Sequence, residues 1–127
     1  MKYYLQSIAD LLLANNFTKV FYDYDQPASP ERIFIANAGG QTVEPNQAVG
    51  NKDFSIYIRR NNREQARVVA NNVFLLLSGN NVAMSGILKM SVQSPLLFSV
   101  DVNANLASEF LISGSCLCLD NDLNRIF

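Results

Sequence analysis

Residues 109–119 read Glu-Phe-Leu-Ile-Ser-Gly-Ser-Cys-Leu-Cys-Leu, and the two-residue period of a strand puts Phe110, Ile112, Cys116 and Cys118 on one face and Leu111, Leu117 and Leu119 on the other. A strand apolar on both faces is stable only where both are covered, so this segment predicts a strand at the centre of a sheet. Phe54, Ile56 and Ile58 alternate with Ser55, Tyr57 and Arg59, which predicts another strand, with one buried face. A chain holding two such segments must form a sheet and supply something to cover it.

The covering elements are helical. Met1, Leu5, Ile8, Ala9 and Leu12 recur at helical spacing opposite Lys2, Gln6 and Asp10, predicting an amphipathic helix over residues 1–14 that Asn15-Asn16 stops. A second helix follows Arg60: Asn61 or Asn62 caps it, Glu64 or Gln65 stands in capping-box register, and Ser78-Gly79 ends it. Between the helices, Val20, Tyr22 and Tyr24 alternate with Lys19, Phe21 and Asp23 in a first strand. Gln26-Pro27-Ala28-Ser29-Pro30 then reads as a turn into a second strand over residues 31–36. Residues 37–52, rich in Gly, Asn and Pro, predict a long polar loop. Beyond the second helix, residues 86–92 and 97–102 predict strands separated by a turn at Ser94-Pro95, and Asn103-Ala104-Asn105 is the next turn. The reading is α+β: a single domain of residues 1–127, with a sheet of about six mostly antiparallel strands packed with two α-helices. At 127 residues, about two thirds of the unfolded surface can be buried in one core, so no second domain is needed.

The chemistry available is narrow. Histidine and tryptophan are both absent, which excludes an imidazole base, a histidine metal ligand and a Ser-His-Asp triad. A net charge of -1 and a pI near 5.2 leave no basic footprint for nucleic acid. The two cysteines, Cys116 and Cys118, lack the co-ligands of a zinc site, a mutual disulfide would be strained, and small core hydrophobes of a reducing compartment explain them. Gln6, Ser7 and Asp10 interrupt any signal-peptide core, and the longest apolar run, residues 73–77, is far below the ~20 residues of a membrane span. Asp23, Asp25, Glu31, Asp53 and Asp101 are the acids a metal-dependent nuclease would draw on. The lysine such enzymes place two residues beyond an acid is missing, since Val102-Asn103 follows Asp101 and Arg32-Ile33 follows Glu31. Neither Ser113-Gly114-Ser115 nor Asn37-Ala38-Gly39-Gly40 has the form of a phosphate loop. No catalytic residue, cofactor or metal ligand is predicted.

Surface patterning is more informative. Arg59, Arg60, Arg63 and Arg67 gather at the start of the second helix, where cations oppose the macrodipole, and Glu64 only partly offsets the Arg63/Arg67 repulsion. A solvated face or an acidic partner accounts for them. On the same helix Ala66, Val69, Ala70, Val73 and Leu77 form the core stripe, while Val68 and Leu75 lie nearly opposite among Glu64, Asn71 and Asn72.

The order of elements, with the string Ser94-Pro95-Leu96-Leu97-Phe98-Ser99-Val100-Asp101-Val102-Asn103 and Phe110 in a final strand, resembles the small minor capsid or tail terminator proteins of tailed bacteriophages over essentially the whole chain. The likeness comprises an opening helix, a β-hairpin, a polar loop, a strand ending in arginines, a helix and a closing meander. It implies a virion protein assembled in the host cytoplasm as a hexameric ring that caps the tail tube, halts its polymerisation and joins it to the head connector. A head-completion role at the same junction stays open, and DNA would pass the pore without specific binding. A ring closes through two different surfaces per subunit. Val68 and Leu75 with Arg63 and Arg67 are the expected subunit contact, and the loop residues Gly39, Gly40, Glu44, Gln47 and Lys52 the expected partner contact.

Overall fold

A computed structural model describes residues 4–23, 31–40, 49–79, 87–101 and 107–119. The elements run α1 (Tyr4–Ala14), β1 (Val20–Tyr22), β2 (Arg32–Gly40), β3 (Val49–Arg60), α2 (Arg63–Leu77), β4 (Ile87–Val92), β5 (Leu96–Asp101) and β6 (Ala107–Leu119). Six strands form one mostly antiparallel sheet in the order β1-β2-β3-β6-β4, with β5 also paired to β6. The α+β architecture read from the sequence is the one observed.

The alternation of β3 sets the layers. Phe54, Ile56 and Ile58 are fully buried, and the ladders place Ile35 and Ile33 of β2 and Ile112 and Phe110 of β6 beside the two isoleucines on the same face. Leu5, Ile8, Ala9 and Leu12 of α1 join Ala66, Ala70, Val73 and Leu77 of α2 in one core cluster with these strand residues, so both helices cover this face. Helix α1 packs on β1 and β2, and α2 on β3, β6 and β4. Each wholly buried Leu or Ile contributes about 1.5–3 kcal/mol, which makes this interlayer core the main source of stability. The helix ends follow the expected chemistry. Asn16 adopts φ 70° while Phe17 N–H donates to the Leu12 carbonyl, and Asn62 caps α2 by accepting from Gln65 N–H at 2.8 Å.

Four expectations are corrected. First, β1 and β2 do not make a hairpin: they pair in parallel, Val20 with Ile33 through Tyr22 with Ile35. The ladder is three residues long, so the chain has to return only about 10 Å to run parallel again. Second, the loop expected over residues 37–52 is cut at both ends, because Asn37 pairs with Phe54, Gly39 with Asp53 and Gly40 with Lys52. A bulge between Asn37 and Gly39 absorbs the glycine, which takes φ +101°. Third, Ser94-Pro95 does not turn the chain between paired strands. Both β4 and β5 pair antiparallel with β6, one on residues 114–118 and the other on 107–111, so they act as one long edge strand interrupted at residues 93–95. Proline suits that break because it has no N–H for the ladder. Fourth, β6 is central as predicted, yet both helices lie on one face of it, and Leu111 and Leu117 on the other face are half-buried with no described helix above them. Met1, Tyr24 and the turns at 26–30 and 103–105 lie outside the described residues.

Gly114 is fixed by close approach. A Cβ there would stand 2.5 Å from Phe54 Cζ and 2.8 Å from the Ser91 carbonyl oxygen. Gly114→Ala should therefore lower stability by about 1–3 kcal/mol through overpacking, read as a lower urea midpoint. An unchanged midpoint would show that the Phe54 ring moves aside freely.

Candidate assembly surfaces

Helix α2 presents its predicted outer stripe to solvent. Val68 and Leu75 are 48% and 65% exposed, on the side opposite buried Ala66, Ala70, Val73 and Leu77. The four arginines beside it fare differently. Arg67 donates to both carboxylate oxygens of Glu64 at 2.6 and 2.7 Å, and this hydrogen bonding, with the charge of Glu64, holds its pKa above the ordinary value. Arg60 turns inward and donates to the carbonyls of Arg59 at 2.8 Å and Arg32 at 3.3 Å, and burial lowers its pKa against the pull of Glu31. Arg63 is exposed and has no ion pair or hydrogen bond among the described residues.

The second surface was not singled out from the sequence. On the face of the sheet away from the helices, the Phe34 and Tyr57 rings stack with centroids 6.2 Å apart, and Phe98 meets Tyr57 edge-on at 5.3 Å. Leu96 and Phe98 are each 52% exposed and Leu97 40%, three consecutive apolar residues on an edge strand that a bulge between Leu97 and Ser99 bends. Two signals pointed here: the run Leu96-Leu97-Phe98 itself, and the apolar second face of β6 that demanded cover. Below the rings, Arg32, Arg59 and Glu109 stand side by side on three strands, and Arg32 reaches across to Glu109 at 2.7 Å in a buried ion pair. Above them the side chains become small and polar. A concavity of about 420 Å³ opens there, lined by Asp53, Ser55, Ser91, Gln93, Ser113 and Ser115 among others.

The expected partner loop is only partly assembled. Gly39 and Gly40 belong to β2, and the Gly39 N–H donates to Asn37 Oδ1 at 2.6 Å. Lys52 is buried in β3, so its ammonium is not a solvent-facing contact. Glu44 and Gln47 lie outside the described residues. The acids of the nuclease reading do not converge either: Glu31 pairs with Lys19 at 3.3 Å, Asp23 ends the edge strand β1, Asp53 lies two strands inward, and Asp101 is on the opposite edge. Asp25 is not described, and no cluster of three or more metal-ligating residues occurs among the residues that are. No described helix is long and apolar enough to cross a membrane.

Cys116 and Cys118 are free and buried, with sulfurs 3.4 Å apart. The Cys116 Sγ–H also lies 3.7 Å from the Lys52 carbonyl oxygen. The hydrogen bond to Cys118 and burial push the Cys116 thiol far above the ordinary range.

The molecule is a two-layer α+β protein whose helices cover one side of a six-stranded sheet. No family model matches it, and no curated protein matches its sequence. Its fold is similar to that of a chain in the virion of a native gene transfer agent particle, with a TM-score of 0.55 over 92% of this chain and 95% of that one, at 13% sequence identity.

Two predictions follow from these sites. Glu109→Ala strands a buried guanidinium and should cost about 3–5 kcal/mol of unfolding free energy, whereas Arg32→Met with Glu109→Leu should recover most of it. Equal losses in the single and double variants would refute the pairing. The thiols should resist iodoacetamide at pH 8 until denaturant is added, and the protein should stay folded in dithiothreitol without bound zinc. Rapid labelling of the native state, or one zinc per chain, would contradict the core role.

Proposed function

We propose that this chain is a structural protein of a phage-like virion and, within it, the tail terminator: a hexameric ring that caps the tail tube, stops its growth and joins it to the head connector. The observation that carries the reading is the fold likeness to a gene transfer agent virion chain, which spans nearly the full length of both. The surfaces support it. A ring formed through heterologous contacts needs two different adhesive faces on each subunit, and this molecule exposes apolar residues on both outer sides of its two layers: Val68 and Leu75 on the helices, Leu96 and Phe98 on the sheet. Interfaces favour apolar and aromatic centres with arginine near them; Arg67 stands at the side of the α2 stripe and Arg63 at the start of the same helix. The strand-end residues Gly39 and Gly40, with Glu44 and Gln47 of the connection that follows, are assigned to contact with the tube or the connector. Assembly takes place in the host cytoplasm, and DNA passes the ring without sequence-specific contact, consistent with a net charge of -1.

Negative-stain microscopy and sedimentation of the purified protein test the ring, and capture of tail tube protein rather than head proteins separates a terminator from a head-completion protein. Val68→Asp with Leu75→Asp should abolish rings and tube capping. The monomer's melting temperature should stay within about 3 °C, since exposed substitutions change stability by roughly 0.5 kcal/mol. A large drop in melting temperature would make the stripe part of the core, and normal rings would make it merely exposed.

A further inference from the structure

The open face of the sheet still lacks the cover that β6 demands. Leu111 and Leu117 on that face are half-buried, and both described helices lie on the other side. Between those two leucines the ladders set small side chains in two successive rows, Ser55 beside Ser113, and Asp53 beside Ser115 and Ser91. These rows line the concavity of about 420 Å³. Small residues let a covering segment approach closely, and the serine hydroxyls with the Gln93 carboxamide offer it both donors and acceptors. Such a lining suits main chain, whose N–H and C=O groups need partners wherever water is excluded.

The chain itself supplies a segment of fitting length and composition. Strand β6 ends at Leu119, and residues 120–127, which lie outside the described residues, read Asp-Asn-Asp-Leu-Asn-Arg-Ile-Phe. Asp120-Asn121-Asp122 has the composition of a reversal. We infer that residues 123–127 run back from it over the open face of β6 in the same copy and occupy the concavity. Five extended residues reach about 17 Å, which from Leu119 brings Phe127 level with Gly114, between the two small-residue rows. A two-residue period puts Leu123, Arg125 and Phe127 on one side. Leu123 then comes over Leu117, Arg125 within a side chain's length of Asp53, and Phe127 into the trough before Tyr57 and Leu111. The charges agree in order along this path: exposed Lys89 stands beside Leu117, nearest the acids of the reversal, and exposed Asp53 follows two residues farther on. Leu96 and Phe98 lie beyond the segment's reach and stay available to a partner, so the cover does not depend on the ring reading.

Cross-linking tests the path. In Ser113→Cys with Phe127→Cys, oxidation with copper phenanthroline should close a disulfide within one chain in most molecules, while the native thiols stay out of reach because both are buried. Ser78→Cys with Phe127→Cys moves the acceptor to the exposed end of α2 in the other layer and should give about a tenth of that yield or less. Arg125→Glu should lower the yield at position 113 several-fold. Asp53→Arg in the same chain should restore it, which also shows that these variants are folded. Equal yields at positions 78 and 113, or none at 113, would overturn the inference. A product joining two chains would overturn it as well and assign the concavity to the segment of a neighbouring copy. The readout needs no ring, so a protein that stays monomeric at every concentration refutes the ring reading without touching this one.

Discussion

The ladder between β3 and β6 is the element on which everything else rests. It runs without a break from Val49 opposite Leu119 to Arg60 opposite Ser108, and it joins residues about sixty apart in sequence. Helix α2 lies in that interval, so closing the ladder also closes a loop around α2 and presses it onto the two strands that face it. Ile56 beside Ile112 and Ile58 beside Phe110 form the floor on which Ala66, Ala70 and Val73 pack. Gly114 admits the Phe54 ring, and Cys116 occupies the position beside Lys52. A slip of one residue would exchange all these side chains for Ser55, Tyr57, Leu111 and Ser113. Register is held by the core on one face and has no comparable packing on the other.

That one-sidedness shapes the surface. With both helices on a single face, the opposite face keeps a row of aromatic rings, one pair stacked and the next edge to face, and leaves Leu96 and Phe98 half in water. At about 25 cal/mol per Å², such residues gain several kcal/mol only when a partner removes them from solvent. The edge strand beside them is unusual for the same reason. Natural edges are blunted by charge, proline or irregularity, and this one has Pro95 and a bulge but no charge between Leu96 and Val100. The irregularities discourage strand-on-strand addition while leaving the side chains available for a contact through their faces.

Much of this fold was legible because the chain obeys simple periodicities. The alternation of residues 54–59, the helical stripes of α1 and α2, and the Asn62 cap are local signals, and local geometry answered them. What failed was pairing between segments. Pro27 and Pro30 announce a reversal but do not say whether the next strand lies parallel or antiparallel, and a three-residue ladder leaves too little sequence to tell. Asn37-Ala38-Gly39-Gly40 has loop composition and is strand because β3 offers it a partner and one bulge takes up the glycine. The assembly surfaces were half visible. Val68 and Leu75 break a helical pattern and can be found by counting, whereas the row of Phe34, Tyr57 and Phe98 exists only once β6 brings β5 into the sheet that holds β2 and β3.

Apolar residues exposed on both layers of one molecule carry a risk of their own. A face-to-back contact repeats, and it gives a closed ring or an open fibre according to the rotation between successive copies. The aromatic row spans the sheet from β2 through β3 to β5, and α2 covers the β3, β6 and β4 side of the opposite layer. Closure into a ring would leave neither apolar face in water, whereas an open fibre would leave one at each end.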